Sequence, residues 1–119
     1  VWAVTDDAQL SRRARDLLRD RRITAFVSSV SIQEIAVKRA RHGVARMPLT
    51  ARQAIAEFDA SGFRPAPVTW LHAAAVEGLP NLHLDPFDRL LIAQSLAEPY
   101  RLVTHDRRLA AYSDTVILV

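Results

Sequence analysis

An α/β sandwich around a mostly parallel sheet is the fold class this sequence predicts, and three observations lead there. Helical and extended patterns alternate along the chain. The extended pieces are short and apolar, as buried strands are. No Gly/Ser linker, internal repeat or low-complexity tract interrupts them, since 3 Gly and 6 Pro are spread thinly over 119 residues.

Taken in order, Leu10, Ala14, Leu17 and Leu18 recur at helical spacing after Asp7, with arginines filling the other face. Residues 23–30 are apolar and β-branched and predict a strand. Ser31-Ile32-Gln33-Glu34 matches a capping box, so a helix is expected over 35–41, ended by Gly43. Thr50-Ala51-Arg52-Gln53 repeats the box and opens a helix that carries Ile55 and Phe58 and stops at Gly62. Residues 63–68 are extended but broken by Pro65 and Pro67, which predicts an edge strand. Thr69 caps a further helix through Glu77, and residues 80–85 form a loop. Pro86 suits the first position of a helix running to Ala97. Arg101-Leu102-Val103-Thr104 reads as a strand, 109–112 as a short helix and 115–119 as a terminal strand.

Composition narrows the functional classes. Half the residues are hydrophobic and 24% are charged, which describes a globular chain. With no Cys there are no disulfides, thiolate–zinc sites or cysteine nucleophiles, and a reducing compartment is the natural setting. No apolar run is long enough to span a membrane, and residues 1–7 lack the features of a signal peptide. The net charge of +3 conceals a bias, because Lys38 is the single Lys among 16 cationic residues. Six arginines fall between Arg12 and Arg22, and Lys38, Arg39, Arg41, His42 and Arg46 form a second group. Arg is well shaped for phosphate, so a polyanionic partner and a plain solvated helix face both suit this pattern.

In parallel α/β sheets, ligands gather where strands turn into helices at their carboxyl ends. Acidic residues occupy such turns here. Glu34 follows the 23–30 strand, Asp85 and Asp88 flank the start of the Pro86 helix, and Asp106 follows the 101–104 strand. Converging carboxylates repel, and a hard divalent cation relieves that repulsion. Each also has a structural use: Glu34 as an N3 capping residue, Asp85 as an N-cap, Asp106 as the start of a turn. Asp88 lies inside the first helical turn, with Asp85 already available as the cap. A Gly-x-Ser-x-Gly elbow, a Gly-rich phosphate loop and a His-Glu-x-x-His zinc motif are all absent, and the four histidines lack zinc spacing.

These residues resemble the PIN-domain ribonuclease toxins of bacterial VapBC toxin–antitoxin systems. The resemblance is carried by Leu84-Asp85-Pro86-Phe87-Asp88-Arg89-Leu90-Leu91-Ile92-Ala93-Gln94, by the stretch from Val27 to Lys38, and by Leu102-Val103-Thr104-His105-Asp106 with Leu109 and Tyr112. It implies a PIN-like three-layer sandwich and an endoribonuclease that uses Mg²⁺ or Mn²⁺. Glu34, Asp88 and Asp106 are then the acidic site residues, with Asp85 as accessory metal ligand. Arg89 orients Asp88 or meets RNA, and Lys38, Arg39 and His105 are further RNA contacts. The implied partners are tRNA or other structured RNA, a VapB-type antitoxin and a second copy of the chain, in the cytoplasm.

One departure stands out. Trp2-Ala3-Val4-Thr5-Asp6-Asp7 resembles the stretch just after the family's first strand, and no residue matches the Asp that ends that strand. On this reading residues 1–119 are a single domain lacking its central first strand, and the natural protein is longer and supplies both. An incomplete PIN fold that binds RNA or protein without cutting is the alternative. A receiver-like phosphoacceptor domain fits less well, having no Lys near the C-terminal strands.

Overall fold

The computed structural model describes residues 2–5, 16, 19–20, 22–82, 85–104 and 107–118. Five strands form one sheet: β1 (Trp2–Thr5), β2 (Thr24–Ser28), β3 (Arg64–Ala66), β4 (Arg101–Thr104) and β5 (Ile117–Leu118). Their spatial order is β3-β2-β1-β4-β5, and all four neighbouring pairs are parallel. Among the described residues the helices include α1 (Ser29–His42), α2 (Ala51–Ala60), α3 (Trp70–Ala75) and α4 (Pro86–Ala97), with 3-10 turns at Val76–Gly78 and Arg107–Ala111.

Successive residues of β2 show why the sheet lies between two helical layers. Side chains alternate across a strand. Phe26 packs with Leu91, Ile92, Tyr100, Leu102 and Leu109, the cluster under α4. Its neighbour Val27 joins Ile35, Ala54, Phe58 and Phe63, the cluster under α1 and α2. Leu102, Val103 and Leu109 have no exposed surface, so the core is densest around β4.

Most boundaries follow the local signals. Thr50 and Gln53 complete a capping box at the start of α2, as expected. Thr69 does the same for α3, with His72 as the reciprocal partner. Gly43 ends α1 at φ 72°, a left-handed conformation that only Gly adopts without steric cost. Arg64–Ala66 is an edge strand, where proline's missing N–H leaves no central ladder unpaired.

One expectation is corrected. The strand predicted over 23–30 stops at Ser28, and Ser28 rather than Ser31 caps the following helix, its hydroxyl accepting from Val30 N–H at 3.1 Å. The helix therefore begins at Ser29, and Glu34 lies in its second turn instead of at N3. At the centre of the sheet, Trp2–Thr5 pairs with β2 on one side and β4 on the other. An empty slot there would leave two rows of peptide groups unpaired inside the molecule, and an extended Trp-Ala-Val-Thr segment satisfies both. The helical pattern over residues 10–18 falls mostly outside the described residues.

Candidate functional site

The register fixes where the acids meet. Thr5 pairs with Val27 on one side and Val103 on the other, so β2 and β4 end level with each other. With strands ~4.8 Å apart, their carboxyl ends are separated by about 10 Å across β1. The chain leaving β2 enters α1, which carries Glu34. The helices α1 and α4 also pack against each other. That contact brings the start of α4 to Glu34.

Glu34 sits on a stripe of α1 that runs from core to solvent. Val30, one turn earlier, is 3% exposed. The side chain of Glu34 is 23% exposed and that of Lys38, one turn later, 52%. Lys38 Nζ lies 3.4 Å from Glu34 Oε1, an i,i+4 ion pair. Burial pushes the Glu34 carboxyl above the usual range, Lys38 pulls it down, and the charges of Asp88 and Asp85 push it up again. The structure thus brings Glu34, Asp85 and Asp88 into one electrostatic neighbourhood, from two helices far apart in sequence.

Asp85 and Asp88 differ in employment. Asp85 is the N-cap of α4, its Oδ1 accepting from Phe87 N–H at 2.9 Å and Asp88 N–H at 3.2 Å. Asp88 lies in the first turn, where the helix dipole favours negative charge. The N3 capping role that gave Glu34 a structural explanation does not exist in the folded chain, because the helix starts three residues earlier. Asp106 and His105 lie outside the described residues.

Two cations expected to face RNA are engaged within the protein. Arg89 donates to the carbonyls of Pro80 at 2.9 Å and Val76 at 3.3 Å, and to the Tyr112 hydroxyl at 3.3 Å. It therefore ties the segment preceding Asp85 to α4. Arg39 donates to the carbonyls of Pro48 and Met47, closing the loop after α1. Both make fixed intramolecular contacts of the kind a guanidinium fork is shaped to make. Lys38 is different, since its partner is the acid itself. Sequence reasoning missed that pair, although its i,i+4 spacing was visible.

It also missed two buried polar ties. Gln94, 1% exposed, donates from Nε2 to the Ala66 carbonyl at 2.9 Å and the Pro67 carbonyl at 3.3 Å, joining α4 to the end of β3. Ala66 stands in register with Ser28, so the tie reaches the start of α1. His72, 3% exposed, accepts at Nδ1 from Thr69 N–H and lies 2.7 Å from Glu98 through Nε2. It is thereby fixed as the Nε2–H tautomer.

Among the described residues, no three His, Asp or Glu side chains are grouped closely enough to enclose a metal ion. The donor chemistry nonetheless fits a hard divalent cation. The atoms are all carboxylate oxygens, they repel one another, and Mg²⁺ needs only one or two direct protein ligands. Among the described residues, no helix is long and apolar enough to cross a membrane.

The fold and site define an α/β domain with acidic groups at the carboxyl edge of a parallel sheet. The chain belongs to the PIN domain family, whose model matches residues 1–114. Solved structures share its fold, two of them at a TM-score of 0.68. One is VapBC2 from Rickettsia felis bound to a DNA fragment from its promoter, with a TM-score of 0.68 and 14% identity, covering 99% of this chain and 96% of that one. The other is a toxin–antitoxin complex from Klebsiella pneumoniae, with a TM-score of 0.68 and 14% identity, covering 98% and 96% respectively. No curated protein matches the chain.

Proposed function

We propose that this chain is a Mg²⁺- or Mn²⁺-dependent endoribonuclease, the VapC-type toxin of a type II toxin–antitoxin pair acting in the cytoplasm. What supports the reading is that the charges of Asp88 and Asp85, on a second helix, both act on the half-buried Glu34, whose expected N3 capping role is absent. Membership of the PIN family supports it, as does the likeness to two structures containing toxin–antitoxin pairs. The antitoxin partner rests on those neighbours, and the homodimer on the family resemblance.

Glu34 and Asp88 would hold the ion, joined by Asp106, with the Oδ2 of Asp85 as an accessory. When bound, a divalent ion supplies an acidified water and neutralises charge on the phosphodiester. The protein's own part is to hold the carboxylates apart on two rigid helices. Its arginine-rich composition attracts the RNA backbone. A second reading, a PIN fold that binds RNA without cutting it, is favoured by the absence of a three-ligand group among the described residues.

Sequencing the ends generated in total cellular RNA distinguishes the two. Wild-type protein with Mg²⁺ or Mn²⁺ should create new ends that Asp88→Asn does not. Salt-sensitive RNA binding that is indifferent to chelator and to Asp88→Asn, with no new ends, establishes the binding-only reading instead.

A further inference from the structure

We propose that Lys38 is a transferable cation: it pairs with Glu34 while the site is free of metal, and passes to a phosphate of the bound nucleic acid when a divalent ion takes that carboxylate. This rests on the metal-dependent nuclease reading and assigns a residue to it.

Three observations carry the inference. The Nζ–Oε1 separation of 3.4 Å is longer than the ~2.8 Å of a tight charge-assisted hydrogen bond, so the pair is loose. Lys38 is half exposed, on the solvent end of the Val30–Glu34–Lys38 stripe, and its flexible stem and three rotatable donors let it turn without moving the helix. The neighbouring cations lack this freedom. Arg39 is tied to the Met47 and Pro48 carbonyls, and Arg89 to those of Pro80 and Val76.

The electrostatics give the exchange its direction. An ammonium beside Glu34 opposes a second positive charge at the same oxygen, so Lys38 weakens metal binding. Once an ion holds Glu34, the ammonium is repelled from it, and the nearest strong acceptor is a phosphate oxygen of the substrate. One side chain therefore affects the two ligands with opposite sign. A residue that merely supported the helix would weaken both together.

The test titrates Mn²⁺ by electron paramagnetic resonance into wild type, Lys38→Met, Lys38→Gln, Lys38→Arg and Asp88→Asn at one pH. The same proteins are then titrated with fluorescent mixed-sequence RNA in Ca²⁺. Removing the charge should tighten Mn²⁺ binding about three- to tenfold and weaken RNA binding by a similar factor. Lys38→Arg should retain wild-type behaviour in both. If Lys38→Met and Lys38→Gln leave Mn²⁺ affinity unchanged or lower, or leave RNA affinity unchanged, the transfer is wrong. Loss of Mn²⁺ binding in Asp88→Asn would then show that the nuclease reading survives it. Wild-type Mn²⁺ affinity in Asp88→Asn overturns the nuclease reading, and the role of Lys38 falls with it.

Discussion

Asp85 and Asp88 lie three positions apart and do different work. Asp85 satisfies two N–H groups at the start of α4, so Asp85→Ala should lower stability by about 1 kcal/mol in a denaturant titration. Asp85→Asn should keep most of that stability, because Asn caps equally well. A difference between the two variants in RNA cleavage would isolate the charge from the cap. Glu34 carries a pH signature. Burial raises its pKa in the folded chain, Lys38 offsets part of that rise, and Asp88 and Asp85 add to it. A carboxyl that holds its proton more tightly when folded contributes stability below its unfolded pKa and loses it as pH climbs through the folded one. Glu34→Gln removes this loss. Without divalent ions, its melting temperature should exceed wild type at neutral pH, with the gap closing as pH falls into the ordinary Glu range.

At the scale of elements, the helices carrying the acids are aimed by groups that never touch a ligand. Ser28 sets the first residue of α1 and hence the turn on which Glu34 falls. Gln94 clamps α4 to the end of β3, next to that cap. Gln94→Leu would leave the Ala66 and Pro67 carbonyls without this donor, and should cost about 1–3 kcal/mol in thermal or chemical unfolding. At the other end of α1, Gly43 has open space where a Cβ would stand, so any penalty for a side chain comes from its positive φ. Gly43→Ala should therefore lower stability by about 1 kcal/mol, with no repacking visible in the NMR spectrum of the core.

The whole molecule depends on a sheet covered on both faces, with its functional edge at the strand carboxyl ends. Leu102 has no exposed surface and lies in the cluster shared by the sheet and α4. Leu102→Ala should cost about 2–5 kcal/mol in equilibrium unfolding, through lost burial and a cavity that fixed neighbours cannot close. Because the level ends of β2 and β4 depend on β1 between them, the central strand matters to the site as well as to stability. Substituting Val4 by Pro removes a backbone donor from a strand paired on both sides. It should destabilise the fold by about 3 kcal/mol or more, measured by the same unfolding experiment.

By itself the sequence determined the alternation of strands and helices, the Pro-broken edge strand, the boxes at Thr50 and Thr69, and the Asp85 cap. Periodicity, capping and proline geometry act within a few residues, so they can be read along the chain. It also set Glu34 in the helix that follows β2, and Asp85 and Asp88 at the start of α4. Tertiary structure decided which of two serine-led starts α1 uses, and filled the sheet's centre with Trp2–Thr5. It also turned Arg39 and Arg89 toward backbone carbonyls. These outcomes depend on which distant backbone groups stand unpaired or within reach once the layers pack, and no local pattern encodes that.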